Sequence, residues 1–219
     1  MTYQEAPMIP ATLPVRGLRT AARRLLTLGA TAALTLGGAA LPASAAPTAP
    51  SAAVAHADPR ALSAVASLAA RRIALADKVA AAKYGTPAPI DDPARERQIL
   101  DDVAARSAAL GLDPALAQAV FRDQIEANKV VQRGLYARWD AHPEQRPADR
   151  PDLATVVRPA LDRITTELLD ALRELPPTRA TPACAPLLTA VALRDAHAHH
   201  FDTLHLRGLA RALPSVCAA

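Results

Sequence analysis

Two Asp-Pro pairs within about 22 residues, Asp92-Pro93 and Asp113-Pro114, constrain this chain more than any other feature. An aspartate side chain caps the free N–H groups of a helix start. The proline after it has no N–H to waste and a φ already set for the first turn. The second helix therefore opens at Asp92-Pro93 and runs to Gly111, and the third opens at Asp113-Pro114 and runs to about His142. The same logic starts a first helix at Pro59, capped by Asp58, and ends it at Tyr84 before Gly85-Thr86-Pro87. After the polar loop HPEQRPADRPD a fourth helix is expected within Thr155 to Leu175, stopped by Pro176-Pro177. Two more follow, over roughly Pro186 to His200 and Asp202 to Leu213. No stretch alternates with period two, and Ala, Leu, Arg, Glu and Gln dominate throughout. The expectation is an all-α, single-domain bundle of about six helices, without internal repeats.

The N-terminal region reads differently. Arg16, Arg19, Arg23 and Arg24 precede an uncharged apolar run from Leu25 to Leu41 that closes on Ala43-Ser44-Ala45, the layout of a cleavable signal peptide over residues 1–45. The run is shorter than the ~20 apolar residues of a membrane span and is interrupted by glycines, so no stable membrane anchor is expected after cleavage. Residues 46–57, APTAPSAAVAHA, form a small-sided Pro/Ala linker, and 58–219 the domain. The chain is thus expected to be secreted, or periplasmic and held in the cell envelope. The leader carries four of the 25 basic residues and one of the 21 acidic ones, so 21 basic face 20 acidic in the remainder. A near-neutral domain gives no support to a nucleic-acid-binding surface despite the high overall isoelectric point.

Cys184 and Cys217 are the two cysteines, both near the C-terminus of an exported chain, and a disulfide between them is expected. Closing that loop would stabilise the fold by about 3–4 kcal/mol through the unfolded state. It would also staple the last two helices together.

Polar side chains interrupt faces built for burial. The first helix carries an apolar stripe through Leu62, Val65, Leu68, Leu75 and Val79, and Arg72 falls on it. Lys83, eleven residues on, lies within about 20° of the same face. Asn128 and Gln132 project side by side on the third helix, and Asp92 and Arg95 share the first turn of the second. A buried charge costs several kcal/mol unless paired, and a small dianionic ligand would supply the pairing. Each pair alone is weak evidence, since a lone Arg or Lys on a helix is usually solvated.

Together, the segments RRIALADKVAAAKYGTPAPIDDPARERQIL and FRDQIEANKVVQRGLYARW resemble the AroQ-type chorismate mutases. Arg72, Lys83, Asp92, Arg95, Asn128 and Gln132 meet that family's spacing at every step. The leader, the single longer domain and the two late cysteines resemble its secreted (gamma) subclass. The resemblance implies an isomerase that converts chorismate to prephenate without metal or cofactor. It implies that Arg72 pairs with a carboxylate, and that Lys83 and Gln132 donate to the breaking ether oxygen. Asp92 and Glu96 would face the ring hydroxyl, Arg95 and Asn128 would line the pocket, and Arg158 would take the second carboxylate, with Arg163 as its fallback. Two departures accompany it. Pro159 disfavours helical geometry at Arg158, and secreted relatives often carry Glu where Gln132 stands. The short intracellular relatives build the site from two swapped chains, whereas a longer chain with its own Arg158 need not; a homodimer through other surfaces stays open.

Other side chains fit blander roles. His197, His199, His200 and His205 with Asp195 and Asp202 invite a metal reading, but solvated or half-buried polar positions explain them as well, and no metal site is expected. Phe121, Leu135, Tyr136 and Trp139 have the spacing of core packing. The competing functional reading is a non-catalytic secreted bundle that binds a small dicarboxylate or a protein partner. Binding alone needs cations, however, and has no use for a neutral donor such as Gln132.

Overall fold

The computed structural model describes residues 59–175 and 177–217. The expected leader, the linker, the Asp58 cap and Pro176 lie outside the described residues. Six α-helices follow in order: α1 (Pro59–Lys83), α2 (Pro93–Ala109), α3 (Pro114–Ala141), α4 (Arg158–Arg173), α5 (Cys184–Ala198) and α6 (Thr203–Arg211). No strand occurs among the described residues.

The Asp-Pro starts behave as their chemistry requires. Asp92 Oδ1 accepts from the Arg95 amide at 3.0 Å, and Asp113 Oδ1 from the Ala115 amide at 2.9 Å. Gly85 and Gly111, which follow α1 and α2, both sit at φ +70°, where a side chain would be strained.

The fourth helix departs from expectation at its start. Asp152 caps it, accepting from the Ala154 and Thr155 amides at 2.9 and 2.7 Å, and the first turn, Leu153–Val157, is a π turn. The Arg158 amide bonds back to Leu153 O across that wider turn, and Arg158 itself is helical at φ −59°, ψ −46°. A regular helix would drive the Pro159 ring into the carbonyl four residues earlier, and the extra residue of a π turn relieves that clash. The conflict between Pro159 and helical geometry at Arg158 is thus resolved by the turn before it. Arg158 stays at the helix entrance without leaving helical geometry.

Helix α1 is the spine, packing against α3, α4, α5 and α6, while α3 also carries α2 and α6. Its alanines Ala66, Ala69, Ala70, Ala76 and Ala80 are fully buried and let neighbours approach on several sides. Leu62, Val65, Ile73, Phe121, Leu168 and Leu172 fill the core between them. Phe121, Leu135 and Trp139 are buried and Tyr136 is half-buried, as their spacing indicated. The Cys184–Cys217 disulfide joins the start of α5 to the turn after α6, so it staples the last two helices. None of the described helices is long and apolar enough to cross a membrane.

Candidate active site

A cavity of about 190 Å³ opens where α1, α2, α3 and the start of α4 meet. All eight side chains singled out by spacing or resemblance line it: Arg72 and Lys83 from α1, Asp92, Arg95 and Glu96 from the α2 entrance, Asn128 and Gln132 from α3, and Arg158 from α4. Arg163 does not; it faces a neighbouring cleft with Arg95, Asp102 and Arg106.

Arg72 is the most buried cation among these eight positions, at 9% exposure. Its Nη1 donates to Thr165 Oγ1 at 3.0 Å and to Leu161 O at 3.4 Å, both on α4, and its guanidinium lies 5.4 Å from the Phe121 ring centre. No carboxylate pairs with it among the described residues. Burial lowers its pKa to about 10, against which the Asp162 charge pulls only partly. The side chain remains a cation at neutral pH and is short of a negative partner.

Lys83 is half-buried and donates to Pro89 O at 2.8 Å, which ties the loop between α1 and α2 to the site. Its pKa is lowered, first by desolvation, then through the nearby Arg158 charge; Asp92, Glu96 and Asp91 work the other way. That influence places Lys83 and Arg158 in one electrostatic neighbourhood.

Gln132 is buried at 3% exposure and donates through Nε2 to Asn128 Oδ1 at 2.7 Å, the i,i+4 contact their spacing implied. One N–H remains for a ligand. Its Oε1 is buried without a donor among the described residues.

Not every side chain that lines the cavity is buried. Arg95 and Arg158 are exposed at the rim, and Arg95 Nη1 donates to Gln98 Oε1 at 3.3 Å. Long side chains at helix entrances can keep their heads in water. Asp92 spends one oxygen on the α2 cap, and Glu96 Oε1 accepts the Asp92 amide at 3.3 Å in return. Lys129, which the sequence reading passed over, also lines the cavity and pairs with Glu96 Oε1 at 2.8 Å. Its signal was the Glu126–Lys129 i,i+3 pair, easily mistaken for an ordinary surface contact.

His197 and His200 line a separate cleft with Phe201 and Leu206. His205 Nε2 lies 2.8 Å from Asp77 Oδ1 and Nδ1 2.6 Å from Asp202 Oδ1, so the ring bridges α1 to the cap of α6. Arg138 joins the same Asp202 at 2.7 Å.

Fold and site define a helical bundle that gathers, within one chain and around one cavity, several cations and a buried amide donor. The sequence profile of chorismate mutase type II matches residues 63–133, the stretch that supplies seven of the eight positions. The secreted chorismate mutase of Mycolicibacterium smegmatis is 33% identical over 149 residues, 68% of this chain and 82% of that one. That of Mycobacterium tuberculosis is 30% identical, covering 69% of this chain and 75% of that one. Among solved structures, chorismate mutase from Burkholderia thailandensis superposes with a TM-score of 0.68 at 40% identity, covering 72% of this chain and 99% of that one. This chain belongs to the type II chorismate mutase family.

Proposed function

We propose that the chain is an exported chorismate mutase, converting chorismate to prephenate inside one protomer's bundle. The reaction is a pericyclic rearrangement in which a C–O bond breaks as a C–C bond forms, with no atom gained or lost. It asks for no nucleophile or general base, only for geometry and electrostatics.

Arg72 takes one substrate carboxylate and Arg158 the other, folding the enolpyruvyl arm over the ring; such orientation lowers a barrier by several kcal/mol. Negative charge grows on the ether oxygen as its bond lengthens. Lys83 and the free N–H of Gln132 meet it as an oxyanion hole does, each worth roughly 3–4 kcal/mol. A millionfold acceleration needs about 8 kcal/mol, which two donors and orientation supply. Asp92 and Glu96 accept from the ring hydroxyl, while Arg95 and Asn128 complete the wall. The domain spans 58–219 behind a signal peptide of 1–45 and a linker of 46–57, in keeping with relatives named as secreted.

The observation that carries this reading is the buried Arg72 cation, without a carboxylate partner among the described residues, in the same hollow as Lys83 and Gln132. The full chain, expressed with its leader and recovered from the exported fraction, is mixed with chorismate and the loss of its absorbance is followed. Turnover that vanishes in Arg72→Ala and Lys83→Ala supports the reading. Well-folded wild type without turnover leaves a binding module in its place.

A further inference from the structure

Lys129 stands one position beyond Asn128 on α3 and is only 7% exposed. Its Nζ lies 2.8 Å from Glu96 Oε1, 2.8 Å from Glu126 Oε1 and 3.4 Å from Asp91 Oδ1. Asp91 in turn is held by Arg133 Nη2 at 2.7 Å. Three carboxylates from α3, α2 and the loop before α2 therefore share two cations at one seam. Glu96 and Lys129 face the cavity, whereas Glu126 and Asp91 lie outside its lining.

The charge balance of the lining shows what Lys129 contributes. Five cations (Arg72, Lys83, Arg95, Lys129, Arg158) face three acids (Asp92, Glu96, Asp162), leaving +2 toward a substrate of charge −2. Without Lys129 the lining falls to +1, and Glu96 and Glu126 lose their nearest cation beside the ligand. Burial alone lowers the pKa of such a lysine; the hydrogen bonds that it donates to Glu126 and Glu96 outweigh that and raise it, so the side chain stays charged.

We propose that Lys129 is a positioning residue for the reaction: it neutralises Glu96 across the α2–α3 seam, admitting a dianion past that carboxylate and fixing the α2 entrance against α3. The inference rests on the chorismate reading of the site. Its effect falls on admission of the dianion, which is ground-state binding, and so on KM more than on kcat.

Steady-state kinetics on the full chain test it, comparing wild type with Lys129→Met, Lys129→Arg, Glu126→Gln and the double variant Lys129→Met/Glu126→Gln, at low and high salt. Lys129→Met keeps the packed stem and should raise KM about tenfold or more with kcat within about threefold, and the deficit should shrink as salt screens the freed carboxylates. Lys129→Arg should stay near wild type. Glu126→Gln, which removes a carboxylate outside the cavity, should recover at least about threefold of the loss. Should Lys129→Met not fold, Lys129→Gln in the Glu126→Gln background carries the same comparison. An unchanged KM in a folded variant overturns the proposal. So does a loss confined to kcat, or one that neither salt nor Glu126→Gln relieves. If wild type turns over while these fail, the proposal falls alone; if wild type neither turns over nor binds chorismate, the reading of the site and the proposal fall together.

Discussion

Replacing Arg72 with methionine should separate stability from activity. The guanidinium is buried, bonded to Thr165 Oγ1 at 3.0 Å and Leu161 O at 3.4 Å, and has no carboxylate partner among the described residues. A pKa brought from 12.5 down to about 10 means that the folded state disfavours the charged form, at a cost of order 3 kcal/mol. For a base with a depressed pKa this cost is present at every pH below the folded value. It fades as pH rises from about 10 to 12.5. Methionine removes the cost and keeps the volume against Phe121, while the two lost hydrogen bonds give back about 1 kcal/mol each. The variant should therefore be as stable as wild type at pH 7, or more stable by about 1 kcal/mol, with a melting temperature unchanged or higher by a few degrees. Activity should go the other way. Two charge-assisted hydrogen bonds to a substrate carboxylate are worth about 3–6 kcal/mol, so kcat/KM should fall by about a hundredfold at the least. Thermal unfolding by circular dichroism and the chorismate absorbance assay on the same preparations decide it. A variant destabilised by more than about 2 kcal/mol would show that Arg72 is a structural cation. Activity retained within tenfold would remove it from the substrate.

Other perturbations probe separate parts of the account. Gln132 donates at any pH, so activity limited by this residue should stay level from about pH 5 to 8. Gln132→Glu should shift activity toward acid, and equal rates for the two proteins at pH 8 would take Gln132 away from the ether oxygen. His205 has its pKa raised, chiefly by the hydrogen bond to Asp77 with help from Asp202 against desolvation. The stabilisation is complete below the unfolded value of about 6.5 and is lost as pH climbs through the folded value. His205→Ala should thus cost more in melting temperature at pH 5.5 than at pH 9, and an equal penalty at both would refute the bridge. Cys217→Ser should lower stability by about 3–4 kcal/mol in chemical denaturation while leaving kcat near wild type, because the disulfide lies at the α5–α6 end, outside the cavity lining.

Much of this was legible because helix punctuation is local. Asp92-Pro93 and Asp113-Pro114 need only their own residues to announce a start, and α2 and α3 begin where they indicate. The candidate site was legible because its members sit on two long helices and one helix entrance, so spacing carries their direction. What escaped depended on neighbours distant in sequence. Lys129 reads as a surface partner of Glu126 until Glu96, 33 positions earlier, is brought to 2.8 Å. The Pro159 conflict was visible, but its resolution by a π turn was not, since residues 153–157 carry no sequence mark of the wider turn. Asp92 was read as both cap and ligand contact, and the fold uses it first as a cap. Arg95 was grouped with the polar side chains on faces built for burial, although a helix entrance leaves a long side chain free to reach solvent.

On the proposed reading, Arg72, Arg158, Lys83 and Gln132 grip one folded dicarboxylate ether in a single chain. A crystal structure with a stable bicyclic ether dicarboxylate, shaped like the rearranging substrate, tests this most directly. One carboxylate should lie on Arg72, the other on Arg158, and the ether oxygen within hydrogen-bond reach of Lys83 Nζ and Gln132 Nε2. A ligand bound outside this cavity, or one whose ether oxygen faces neither donor, would contradict it.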